Sequence, residues 1–182
     1  KSFVSKQFNC PVFNADLEVE KIYRKNDYCY KKLKNKLPKY IKSYPVNKME
    51  LTKAILSNKY NIKKIINIVH PIIRKKMNYF LKKNIKKKMV ILDIPLLIEN
   101  RLNKKKDILI FIDSEKSEIE TRLKKRKNYN KNILNNLRKL QKNLAYKKKI
   151  SSYIIKNNFK LLSVKKRVKL IKKKILNERN NT

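Results

Sequence analysis

The chain has 182 residues, enough for one domain with an inserted lobe, and 41% of them are hydrophobic, which supplies a core and excludes wholesale disorder. Lys and Arg number 51 against 13 Asp and Glu, a formal charge of +38; because 43 of the 51 are Lys spread from end to end, the charge reads as the solvated faces encoded by an AT-biased gene and not as a nucleic-acid-binding block. Gly is absent where ordinary usage would place about 13, which excludes a complete glycine-rich phosphate loop within these residues.

Lys1 to Phe8 carry a short helical pattern, and the breaker Asn9-Cys10-Pro11 leads into an extended Val12-Phe13. Asp16 stands where that strand ends and a helix opens, with Leu17, Val19, Ile22 and Tyr23 as the helix's core side. Cys10 and Cys29 give neither a disulfide framework nor zinc spacing, so a reducing compartment is the default. Residues 28–86 hold no strand pattern; they read as helical runs broken at Pro38, at Tyr44-Pro45 and before Pro71, an inserted helical lobe. Residues 89–93 and 107–113 are apolar runs that end in Asp93 and Asp113, the profile of parallel strands buried on both faces. In open α/β sheets, ligands lie beyond such carboxyl ends. Ser114 is expected to cap a helix through Arg126, with Glu115 and Glu118 suiting its dipole. After a polar break at residues 127–131 come a further helix to about Lys148, a strand at 152–155 and an amphipathic helix at 163–176. Strands alternating with helices predict an α/β fold with a parallel sheet. No apolar run approaches the roughly 20 residues of a membrane span. No hydrophobic signal segment opens the chain, and its first residue is Lys, so it is expected to begin partway into a longer unit and to be cytoplasmic.

Several residues carry chemistry as well as structure. Lys1-Ser2, ahead of a helix and upstream of two Asp-ended strands, is either an arbitrary start or the last two positions of a G-x-x-x-x-G-K-[ST] loop, whose glycines would lie upstream. Asp16 is a helix N-cap or a working carboxylate. Arg122 and Arg126, four apart on one helix face, are a solvated basic face or a pair of phosphate-binding guanidinium groups. His70, the only histidine, is a structural hydrogen-bonding residue or a ligand contact.

The ordered series Lys1-Ser2, then Pro11-Val12-Phe13-Asn14-Ala15-Asp16, Val69-His70-Pro71, Leu92-Asp93-Ile94-Pro95-Leu96-Leu97-Ile98-Glu99, Arg122 and Arg126, Gln141, and Ile154-Ile155-Lys156-Asn157-Asn158 resembles the dephospho-CoA kinase family from residue 1 to about 176. The segment Asp93 to Glu99 is its most specific part. The resemblance implies a three-layer parallel-sheet P-loop kinase core, similar to the nucleoside monophosphate kinases, at residues 1–27 and 88–182, with a lid at about 122–135, a helical substrate lobe at 28–87, and the first strand missing. It implies transfer of the ATP γ-phosphoryl group to the ribose 3′-hydroxyl of dephospho-CoA, the last step of CoA synthesis.

The resemblance also implies the roles. Asp16 is the base. Lys1 and Arg122 act on the transferring phosphoryl group, and Lys1, Ser2, Arg122, Arg126 and Asn157 hold ATP, with the Ser2 hydroxyl on Mg²⁺. Asn14, Lys48, His70, Asp93, Pro95, Leu96 and Leu97 receive dephospho-CoA. Three positions depart from the pattern: Asn14 stands in place of an acid, Lys48 in place of an arginine, and Glu20 where many relatives have an arginine. The expected partner is the small-molecule substrate, with no membrane, no specific nucleic acid, and a monomeric state preferred over an oligomer. Another small-molecule kinase of this architecture, a truncated or decayed homologue that binds ATP poorly, and a basic RNA-binding protein are the competing readings.

Overall fold

The alternation of patterns is realised as α1 (Ser2–Lys6), β1 (Val12–Asn14), α2 (Ala15–Lys25), α3 (Asp27–Lys36), α4 (Lys48–Ser57), α5 (Tyr60–Lys83), β2 (Ile91–Asp93), β3 (Ile110–Asp113), α6 (Lys116–Lys124), α7 (Lys131–Lys139), α8 (Leu144–Lys149), β4 (Tyr153–Lys156) and α9 (Leu161–Asn180). The computed structural model describes residues 2–126 and 129–180. β1 pairs with β2, and β3 pairs with β4 in parallel, with Ile110 opposite Tyr153 and Asp113 opposite Lys156. Helices joining parallel strands make this an α/β fold. The chain divides into two compact units, one of residues 1–12, 96–131 and 137–182, the other of residues 13–95 and 132–136.

The second unit is built on α5. Ile65, Val69, Ile73 and Met77 recur every four residues as one buried stripe, packed with Ile22, Leu33, Leu51 and Ala54 from α2, α3 and α4. Phe13 of β1 joins this core against Phe80, ring centroids 5.6 Å apart. The expected break before Pro71 does not occur: α5 continues through it. Pro71 sits on the exposed side, as does Asn67, whose carbonyl loses its partner there and can be hydrated. Burying the four apolar side chains is worth about 6–12 kcal/mol, against about 3 kcal/mol for an interior proline, so the stripe wins.

The first unit buries Val4, Phe8, Ile155, Val164 and Val168, drawn from α1 and the turn after it, β4 and α9. Lys172 on α9 donates to the Phe8 carbonyl at 2.6 Å, satisfying an acceptor left over where α1 ends. Three further readings differ from the structure. β2 and β3 are half-buried along their length, not buried on both faces, because among the described residues each has a single paired neighbour and leaves an open edge. Glu115, not Ser114, is the N-cap residue of α6, and it makes no side-chain cap bond. The long helix expected before residue 148 is two, because Asn143 turns its side chain onto the Ala145 N–H at 2.7 Å and starts α8 afresh.

With no glycine available, left-handed backbone falls on Asn9, Arg101 and Phe159, at φ of 49°, 51° and 59°. Asn tolerates that region through its own side chain. For Arg and Phe it costs about 1–2 kcal/mol. No helix among the described residues is long and apolar enough to cross a membrane.

Candidate active site

In the second unit the site forms where β1 runs directly into α2. Asn14 ends the strand in extended backbone and caps the helix, its Oδ1 accepting the Leu17 N–H at 3.0 Å. Its Nδ2 donates to Asp93 Oδ2 at 3.4 Å, tying the carboxyl ends of β1 and β2 across 79 residues of sequence. An amide does both jobs at once; a carboxylate at position 14 would cap equally well but would repel Asp93. Because Asn14 is the cap, Asp16 is not: it lies in the first turn of α2, exposed, with its carboxylate at the positive end of the helix.

Charge around this junction is largely committed. Glu18 pairs with Lys21 at 2.6 Å and Lys76 at 3.3 Å; burial pushes its carboxyl pKa up, but the two lysines outweigh burial and hold it below the ordinary value. Lys48 at the start of α4 pairs with Glu20 at 3.3 Å, so the two departures noted in the sequence meet each other. His70 is half-buried on α5, and burial first, then the Arg74 guanidinium, lower its pKa, which keeps the imidazole neutral at pH 7. Pro95 closes this unit just after β2, while Leu96 and Leu97 begin the segment that belongs to the first unit. A shallow basic depression of about 420 Å³ beside Lys21, Arg24, Lys25 and Lys76 touches none of the predicted residues.

In the first unit two of the predicted residues, Asn157 and Arg122, are brought together through the turn that follows β4. The Asn157 N–H continues the ladder to the Asp113 carbonyl at 2.6 Å, and its Oδ1 turns back to accept the Phe159 N–H at 3.0 Å. That turn brings the Phe159 ring under Arg122, whose Cζ is 3.9 Å from the ring centroid. Arg122 Nε also faces Glu118 at 3.5 Å, one turn earlier on α6. Arg126 lies exposed just past the end of that helix, so the two predicted arginines have different surroundings. Asp113 is paired with Lys148 at 2.8 Å. Ser2 opens α1, and Lys1 lies outside the described residues.

Two arrangements were not legible in the sequence. Phe159 carries no motif signal. Glu99 and Lys147 form an ion pair at 2.5 Å with side chains only 10% and 11% exposed, and Glu99 also accepts the Lys142 N–H at 2.9 Å. Burial raises the Glu99 pKa, and the bonds from Lys147 and Lys142 more than reverse it, leaving the carboxyl below its ordinary value. Among the described residues no cluster of three or more His, Cys, Asp or Glu could hold a metal ion.

Comparison with known proteins places this geometry in context. The family model described as dephospho-CoA kinase matches residues 1–163. The dephospho-CoA kinase of Wolbachia pipientis wMel is 28% identical over 160 residues, covering 85% of this chain and 82% of the relative. That of Bacillus thuringiensis subsp. konkukian is 28% identical over 182 residues, covering 96% and 90%. Among solved structures, TT1252 from Thermus thermophilus superposes with a TM-score of 0.69 at 17% identity, over 92% of this chain and 86% of that one, a likeness of fold.

Proposed function

Since the chain belongs to the dephospho-CoA kinase family, and so is an ATP-dependent kinase acting in CoA biosynthesis, we propose that it transfers the ATP γ-phosphoryl group to the ribose 3′-hydroxyl of dephospho-CoA, releasing CoA and ADP. The observation that carries the residue assignment is the β1–α2 junction: Asn14 takes the cap and the Asp93 contact, leaving the Asp16 carboxylate exposed at a strand's carboxyl end. Asp16 accepts the proton of the attacking 3′-hydroxyl. The rest of the machinery aligns the two substrates and offsets charge, which is most of what phosphoryl transfer requires.

Lys1 serves the β/γ-phosphates. Arg122, Arg126 and Asn157 belong to the nucleotide, and Asn14, Lys48, His70, Asp93, Pro95, Leu96 and Leu97 to dephospho-CoA. Asp93 is fixed by Asn14 for that purpose, and neutral His70 offers one donor and one acceptor without adding charge. Residues 28–87 form the substrate lobe and about 122–135 the lid, on a core of residues 1–27 and 88–182, working as a monomer in the cytoplasm. Mg²⁺ keeps several waters and takes few protein ligands. Ser2 would hold it, and the ion would neutralise phosphate charge.

The test is Mg²⁺-dependent ATP consumption with and without dephospho-CoA, beside Asp16→Asn. Dephospho-CoA should stimulate turnover, and the variant should lose on the order of 10²–10⁴-fold in kcat. Turnover that ignores dephospho-CoA, or survives in Asp16→Asn, defeats the assignment.

A further inference from the structure

We propose that Glu20 governs the affinity of the acceptor site: its carboxylate holds the Lys48 ammonium in competition with the 5′-diphosphate of dephospho-CoA, which must displace it to bind. The inference rests on the reading of the chain as a dephospho-CoA kinase with Asp16 as base, and it adds the residue that sets how tightly the acceptor is held.

Geometry puts the pair where the acceptor's charge falls. Glu20 follows Asp16 by four residues on α2, so the two carboxylates share one face of the helix, about 6 Å apart along its axis. Dephospho-CoA carries its diphosphate on the 5′ carbon of the ribose whose 3′-hydroxyl reacts, a separation of similar length. A hydroxyl delivered to Asp16 therefore leaves the diphosphate within reach of the next turn, where Lys48 Nζ meets Glu20 Oε1 at 3.3 Å. Both side chains are open to a ligand, 68% exposed for Lys48 and 45% for Glu20. Lys21, next to Glu20 in sequence, is drawn to Glu18 at 2.6 Å and so offsets little of the Glu20 charge.

What holds Lys48 in place decides the sign of the effect. Its backbone needs no help from Glu20. The Val46 N–H donates to the Tyr23 carbonyl at 2.9 Å, which ties the entry of α4 to the last turn of α2, and Asn47 caps α4 by accepting the Met49 N–H at 2.8 Å. Glu20 is thus a counter-charge to the lysine and not its anchor. An exposed pair of this kind breaks at small cost, yet the carboxylate does two things to a bound diphosphate: it keeps part of the Lys48 charge for itself, and it repels the phosphate oxygens directly. Lys48 serves the acceptor fully only when the pair opens.

The test compares Glu20→Gln, Lys48→Met and the double variant Glu20→Gln/Lys48→Met by calorimetric titration with dephospho-CoA and by steady-state kinetics with each substrate varied. Glu20→Gln should lower Kd and KM for dephospho-CoA about 2- to 5-fold at low ionic strength, the worth of an exposed charge pair. The change should fall on KM for dephospho-CoA and not on kcat or on KM for ATP, and it should shrink in roughly 0.5 M KCl, where exposed charges are screened. Lys48→Met should weaken dephospho-CoA binding more in the Glu20→Gln background than in the parent, because there the lysine has no competitor. All three variants should melt close to the parent, since an exposed pair adds little stability. Unchanged or weaker dephospho-CoA binding in Glu20→Gln, an equal gain for ATP, or an additive double variant would each overturn the proposal. A parent that binds dephospho-CoA without phosphorylating it would defeat the reaction assignment alone, with the Glu20 comparison still read from Kd. A parent that binds no dephospho-CoA would end both.

Discussion

Removing the amine of Lys147 should be among the most damaging single changes in the first unit, and damaging in a way that pH reveals. In Lys147→Met the Glu99 carboxylate, 10% exposed, keeps only the Lys142 N–H among the partners that hold it in the charged form from elsewhere in the chain. An uncompensated buried charge costs about 3–5 kcal/mol, which for a chain of this size lowers Tm by roughly 6–20 °C. The pair itself is worth much less, since both ions were desolvated to make it. Glu99→Gln/Lys147→Met should therefore recover most of the loss, with a coupling of at least about 2 kcal/mol in the double-mutant cycle. The pH dependence inverts. In the parent, the Glu99 pKa lies below its ordinary 4.5, so its contribution is complete above pH 4.5 and is lost as pH falls through the folded value. Without Lys147, burial dominates and lifts the folded pKa above the unfolded one, so acidification toward that value relieves the buried charge. Urea unfolding at pH 7, 6, 5 and 4 reads both effects. A loss below 1 kcal/mol, additivity in the cycle, or parallel pH profiles for parent and Lys147→Met would refute the reasoning.

Asn14→Ala removes the α2 cap and the Asp93 link together and should cost about 1–2 kcal/mol in urea unfolding, while Asn14→Ser, which keeps a cap acceptor, should recover roughly half of that. Cys29 is fully buried and its thiol pKa is pushed up by that burial to about 11; a thiol reagent at pH 8 should leave it unmodified in the native protein and react with it only in denaturant. His70 has its pKa lowered by burial and Arg74, so the folded state favours the neutral ring. Protonation should then erode stability as pH falls below 6.5, and His70→Gln should flatten that part of the urea-midpoint profile between pH 7.5 and 5.

How much of this was legible in the sequence depended on how local its cause is. The runs ending in Asp93 and Asp113 announced two strands, because apolar β-rich segments closed by a carboxylate are a local pattern. The β1–α2 junction was legible in outline, but which of its polar residues caps the helix was not: Asn14 and Asp16 are both good caps, and only the folded chain shows that Asn14 takes the cap while also reaching Asp93. Likewise the proline at position 71 argued for a helix end, and only the stripe of four buried residues against α2, α3 and α4 shows why the helix goes on.

Composition, the order of strands and helices, and the candidate groups for phosphate binding and proton transfer were therefore legible in the chain itself, since side-chain chemistry and short-range periodicity do not depend on what folds against them. Tertiary structure decided the pairings: Glu20 with Lys48, Glu99 with Lys147, Phe159 beneath Arg122. In a chain with 43 lysines nearly every acid has many possible partners, and the fold selects among them; for Glu99, whose side chain is buried, the loss of that one partner leaves a charge that water cannot compensate.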